Sequence, residues 1–137
     1  MACVFCEIVA GTRPAHHVFE DEACLGFLDA RPVFAGHVLL VPRVHVETFT
    51  DLPADRVAPL FTSAQRLARS VETALGADGT FVAMNNKVSQ SVPHLHVHIV
   101  PRKKKDGLRG FFWPRQKYAS EEDAARVAAL IRGADAT

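Results

Sequence analysis

The sequence predicts an α+β domain: an antiparallel meander of about five short strands, a long central helix and a second helix at the C-terminus. Three observations lead there. A run with helical spacing between residues 57 and 75 is flanked on both sides by short aliphatic and β-branched runs. The runs before it are joined by short polar turns, which favours antiparallel neighbours over crossover units. No glycine-rich phosphate loop follows any strand, which sets aside dinucleotide-binding and P-loop architectures.

The elements follow in order. "VFCEIVA" (4–10) reads as a short helix ending at Gly11. "HHVFE" (16–20) and "CLGFLD" (24–29) read as two strands of a tight hairpin turned at Asp21 and Glu22. Pro32 and Gly36 mark 30–37 as a loop. "HVLLVP" (37–42) is apolar without alternation, the pattern of a strand buried on both faces, and Pro42 stops it. Val57, Leu60, Phe61, Ala64, Leu67, Val71 and Leu75 recur at three- and four-residue steps. Asp51 is the candidate N-terminal cap and Gly76 the C-terminal one. Pro59 implies that this helix starts near Ala58 or that its first turn is separate. "TFVAMNN" (80–86) and "HLHVHIVP" (94–101) read as strands. Ser120 followed by Glu121, Glu122 and Asp123 opens the last helix with carboxylates at its positive end, and Gly133 stops it.

The 137 residues suit one domain, 1–137, in which 102–137 supply a basic loop and the final helix. The composition, 48% hydrophobic and 23% charged, is that of an ordinary globular protein. A net charge of +1 points to neither nucleic acid nor a membrane surface. No apolar run approaches the roughly 20 residues that span a bilayer. The start "MACVFCEIVAG" lacks a basic leader region, and three cysteines suit a reducing compartment, so a cytoplasmic location is expected.

The chemistry concentrates in "SVPHLHVHIVPR" (91–102). In a strand, alternate side chains share a face about 6.6 Å apart. His94, His96 and His98 then form one row, while Leu95, Val97 and Ile99 anchor the opposite face. A row that wide is poorly matched to one ion, whose tetrahedral ligands sit about 3.3 Å from one another. It does suit nucleophilic attack on phosphorus by a neutral imidazole flanked by partners that set its tautomer. Cys3 and Cys6, a Cys-x-x-Cys pair, are two zinc ligands in want of two more, or a free or redox dithiol. Cys24, set among Leu25, Phe27 and Leu28, reads as a small core residue. His16, His17 and His37 read as surface or turn residues.

"HLHVHIV" fits His-φ-His-φ-His-φ-φ, with φ apolar, and resembles the signature of the histidine-triad superfamily of nucleotide hydrolases and transferases. "CVFCEIVAG", "EDEACLGFLDARPVFAGHVLLVPRVHVE", "NN" and "SQSVPHLHVHIVPR" resemble that family's segments in its order. The resemblance implies that His96 attacks the α-phosphorus of a nucleoside phosphate derivative, forming a nucleotidyl-histidine that water cleaves to the nucleoside monophosphate. By the same resemblance, the backbone carbonyl of His94 holds the ring of His96. His98 hydrogen-bonds the phosphate or leaving group, and Gln90 and Ser91 contact the phosphate. Asn85, or Asn86 in its place, also faces the phosphate, and Asp29 binds the ribose hydroxyls. Zinc-binding relatives imply a closed structural site of Cys3, Cys6, His45 and His94. Dinucleoside polyphosphates, adenosine phosphoramidates and nucleotidyl adducts are the implied substrates, and a nucleotide-binding scaffold with incidental turnover is the alternative. The family is typically a two-fold homodimer with a joined sheet. Such an interface would cover Phe111, Phe112 and Trp113, which are too apolar to stay wet. Lys103, Lys104, Lys105 and Arg109 are a solvated turn or a contact for polyphosphate, an acidic substrate or RNA.

Overall fold

A computed structural model describes residues 2–108 and 115–134. Residues to Asp106 form one compact unit and those from Gly107 a second. The first unit holds helix α1 (Val4–Ala10), strands β1 (His17–Glu20), β2 (Cys24–Leu28) and β3 (Val38–Pro42), helix α2 (Ala54–Leu75), and strands β4 (Gly79–Ala83) and β5 (Val97–Arg102). The five strands form one antiparallel sheet in the order β1-β2-β3-β5-β4. The α2 connection carries the chain across the sheet, so β4 becomes an edge and β5 returns between it and β3. The second unit contains α3 (Glu121–Gly133), capped as its sequence suggests: Ser120 Oγ accepts from the Asp123 amide at 3.1 Å. Phe111, Phe112, Trp113 and Arg109 lie outside the described residues.

β3 explains the architecture. Val38 and Leu40 pack towards α2 with Leu60, Leu67, Leu95, Val97 and Ile99. Leu39 and Val41 join Phe5, Ile8, Leu25 and Phe27 on the α1 side. Every residue of β3 is buried, which is why its sequence shows no alternation. The hairpin turn between β1 and β2 is closed by Asp21, whose Oδ1 accepts from the amides of Ala23 (2.9 Å) and Cys24 (2.7 Å).

The strand expected over 80–86 is Gly79–Ala83, and three further expectations change for a physical reason. α2 begins at Ala54, not near Ala58, and contains Pro59. Pro59 is exposed and falls in the second turn, so the backbone carbonyl that loses its partner faces water. Asp51 does not cap α2; its carboxylate accepts from the Thr48 hydroxyl at 2.7 Å in a separate 3₁₀ turn, Phe49–Asp51. β5 begins at Val97, because the β3–β5 pairing runs from Val38–Ile99 to Leu40–Val97 and two residues on it meets Pro42, which has no N–H to donate. β5 then continues past Pro101, paired there only with Thr80 of β4.

Candidate active site

The histidine row is held by the apolar residues between its members. Leu95, Val97 and Ile99 are at most 1% exposed on the α2 side of the sheet. The imidazoles of His94 and His96 lie against Phe5 of α1, with ring centroids 5.9 and 5.1 Å away. His96 and His98 are 5.0 Å apart, centroid to centroid. His94 lies in a bend and His96 just ahead of the paired strand, and only His98 belongs to β5.

Backbone carbonyls, which can only accept, fix the tautomers of the first two. His94 Nε2 lies 3.0 Å from the Pro42 carbonyl, so Nε2 carries the hydrogen and Nδ1 presents its lone pair. His96 Nδ1 lies 2.8 Å from the His94 carbonyl, so Nδ1 carries the hydrogen and the lone pair of the neutral ring is on Nε2.

His94 Nδ1 faces Cys3 Sγ (3.4 Å), Cys6 Sγ (3.5 Å) and His45 Nδ1 (3.2 Å), and Cys6 Sγ lies 3.3 Å from His45 Nδ1. All four donor atoms fall within 4.8 Å of one another. Zinc–sulfur and zinc–nitrogen bonds of about 2.3 and 2.0–2.1 Å place tetrahedral donors about 3.3–3.8 Å apart, so the set fits a zinc ion. α1 brings the pair together: Cys3 is its N-cap and accepts the Cys6 amide through Sγ. Burial, first, and then the neighbouring Cys3 push the Cys6 thiol up, while burial pushes His94 down. A cation among the four reverses the first effect and makes use of the neutral imidazole of the second.

His37 corrects the reading of the sequence. It is no surface residue: it is 3% exposed and joins the site from just before β3. Its Nδ1 accepts from the Val33 amide at 3.1 Å, which leaves its hydrogen on Nε2, 3.0 Å from His98 Nδ1. His98 therefore accepts on Nδ1 and carries its own hydrogen on Nε2. Asp29 Oδ2 stands 3.7 Å from His37 Nε2. Asp29, His37 and His98 could also converge on a metal. Such an ion would need a lone pair on His37 Nε2 while Val33 occupies the one on Nδ1, so the chain of hydrogen bonds is the better account of the geometry. Burial, with His96 and His37 adding and Asp29 opposing, drives His98 down to about 4. His37 is lowered for the same leading reason.

These depressed histidines set a pH dependence. Between about 4 and the ordinary value near 6.5 the unfolded chain binds a proton at position 98 that the folded chain does not, so stability rises with pH across that window and is lost on acidification. Melting temperature should fall from pH 7 to pH 4.5, and less steeply in His98→Gln. Equal slopes in the two proteins would contradict the assignment.

In front of the row lies a cleft of about 830 Å³, lined by His96, His98, Ser91 and Asp29 and walled by apolar residues such as Phe5 and Ile8. Asp29 Oδ1 accepts from the Arg31 amide at 2.9 Å. The remaining predicted residues sit on the loop between β4 and β5. Gln90 is engaged with backbone: Oε1 accepts from the Lys87 amide (2.8 Å), and Nε2 donates to the Glu47 carbonyl (2.6 Å). Asn86 Oδ1 accepts from the Phe49 amide at 2.7 Å, and Asn85 is exposed. Lys87 and Ser89 hold positive φ, 71° and 61°, which is what lets so short a loop turn.

Residues 10–105 match the HIT domain. The chain belongs to the HIT-domain family. An adenylylsulfatase of Arabidopsis thaliana is 35% identical to it over 137 residues, spanning 95% of this chain and 68% of that protein. The crystal structure of a HIT-family member from Bacillus subtilis has a TM-score of 0.91 at 32% identity, covering 100% of this chain and 99% of the other. A zinc-bound histidine triad family protein from Mycobacterium smegmatis has a TM-score of 0.75 at 40% identity, covering 98% and 99%. The HIT domain match lies within the first compact unit. No helix among the described residues is long and apolar enough to cross a membrane.

Proposed function

We propose that this HIT protein is a nucleotide hydrolase or transferase that cleaves α-phosphate derivatives of nucleosides through a covalent nucleotidyl-His96. The observation that carries this reading is the hydrogen bond from His96 Nδ1–H to the His94 carbonyl at 2.8 Å. It leaves one lone pair, on Nε2, in a ring that lines the cleft. Nε2 attacks the α-phosphorus, a P–N bond forms, and the bond to the leaving group breaks. The leaving group departs with the electron pair, taking a proton from solvent where it is an amine. Water then attacks the phosphorus, the P–N bond breaks, and nucleoside monophosphate leaves.

His98 is a neutral hydrogen-bond donor through Nε2–H. It stabilises charge on the phosphoryl oxygens as a neutral donor, because the depressed value near 4 keeps the ring from holding a second proton that it could transfer. His37 is a positioning residue that holds His98 in that tautomer. Ser91 supplies a further donor to the phosphate, joined by Asn85 and by Gln90 once its amide leaves the backbone. Asp29 accepts from the ribose hydroxyls.

Cys3, Cys6, His45 and His94 hold a structural zinc, whose contribution is to cross-link α1 to the segment that carries the nucleophile. The protein works as a two-fold homodimer with a joined sheet, for which β4, last in the strand order and with Val82 exposed, would supply the border. Its three cysteines, none of them in a disulfide, suit the cytoplasm. Incubation with dinucleoside polyphosphates, nucleoside phosphoramidates and adenylyl sulfate tests the function. Release of nucleoside monophosphate is expected, and release of inorganic phosphate alone would contradict it.

A further inference from the structure

The cleft is lined by two basic side chains that the proposed chemistry does not use. Its wall is largely apolar, as a base-binding surface should be, yet Arg13 and His16 also line it. The path of the chain places them. Phe5 on α1 touches His96, Ile8 follows one turn later, Gly11 ends the helix in a left-handed conformation (φ 80°), and Arg13 comes next. The backbone of His16 pairs with Leu28, one residue before Asp29, through the Leu28 amide at 2.9 Å. A nucleoside with its phosphorus at His96 and its ribose at Asp29 would leave its base to the other lining residues of the same cleft, among them Phe5, Ile8, Leu28 and Arg13.

We infer that Arg13 selects the base, favouring guanine over adenine; this rests on the nucleotide reading of the cleft given above. A guanidinium only donates hydrogen bonds. Guanine presents two adjacent acceptors, O6 and N7, on the edge that a guanidinium meets bidentately, whereas adenine presents N7 beside an amino donor that repels it. Arg13 is available for the task and partly oriented for it. Its amide donates to the Glu7 carbonyl (3.3 Å), and Nη2 forms an ion pair with Glu7 Oε1 at 3.3 Å, so one of its three nitrogens is tethered while the N–H groups on Nε and Nη1 remain to be shared. The side chain is 46% exposed, which puts the expected discrimination at the lower end of what such a pair gives, about tenfold.

The test compares matched guanosine and adenosine 5′-phosphoramidates with the wild-type protein and Arg13→Met, and measures GMP and AMP affinity in parallel by calorimetry. The expected results are a kcat/KM about ten times higher for the guanosine substrate, GMP bound more tightly than AMP, and both preferences lost in Arg13→Met with adenosine turnover retained. Equal handling of the two bases by the wild-type protein, or a preference that survives Arg13→Met, overturns the assignment. If neither substrate is turned over, the hydrolase reading fails, and the GMP-to-AMP affinity ratio still decides the role of Arg13. If neither nucleotide binds, both are overturned.

Discussion

Replacing His96 by alanine should lower kcat on a nucleoside phosphoramidate by about 10⁴-fold or more, the usual scale for loss of a covalent nucleophile, while nucleotide affinity stays within a few-fold. The split follows from position. His96 lines the cleft as the proposed nucleophile, whereas under the same proposal the apolar wall at Phe5 and Ile8 and the Asp29 carboxylate would bind the nucleoside without it. The ring is 2% exposed, so the cavity left behind could loosen the fold. His96→Asn fills most of that volume and removes the nucleophile. Both variants should be inactive and His96→Asn should melt near the wild-type temperature. Turnover in either within tenfold of wild type would show that another group attacks the phosphorus. A scaffold with incidental turnover would show no change in its biological role in either variant.

Loss of the Cys3–Cys6–His45–His94 cluster should act first on stability. Cys6→Ser is expected to release bound zinc and to lower the folding free energy by about 3 kcal/mol, on the order of 10 °C in melting temperature, because a structural zinc site contributes directly to folding. The wild-type protein treated with a strong chelator should match it, and zinc addition should restore only the wild type. A zinc used in the reaction itself would show the opposite order, with activity lost at once and melting unchanged. The geometry predicts the structural outcome: Nδ1 of His94 belongs to the cluster, while His96, the proposed nucleophile, lies outside it and is linked to it through the His94 carbonyl.

Much of the fold was legible because it rests on local periodicity. The unbroken apolar run of β3 signalled burial on two faces, and α1 and α2 do cover both sides of the sheet through that strand. The spacing of Leu60, Ala64, Leu67 and Val71 gave α2, and Gly76 does cap it in a left-handed conformation. The start of α2 was misread because Pro59 looks disqualifying in sequence but costs little on an exposed second turn. Asp51 was misread because its nearest partner is Thr48, three residues back in a turn of its own. In the site, alternation marked His94, His96 and His98, since a row of imidazoles opposite three aliphatics is a local pattern. His37 carried no such signal. Its partner, His98, lies 61 residues away, and the pairing exists only because Leu39 and His98 are neighbours across the β3–β5 ladder. Gln90 shows the converse: its sequence neighbourhood points to a ligand, while its amide holds the Lys87 and Glu47 backbone in the structure.

The most direct test is to quench a single turnover of a nucleoside phosphoramidate under alkaline conditions and map the protein by mass spectrometry. A nucleotidyl group should appear on the peptide containing residues 91–102, localised to His96, labile to acid and absent from His96→Asn. Turnover with no adduct at any time point, or an adduct on His94 or His98 instead, would contradict attack by the imidazole that the His94 carbonyl holds in place.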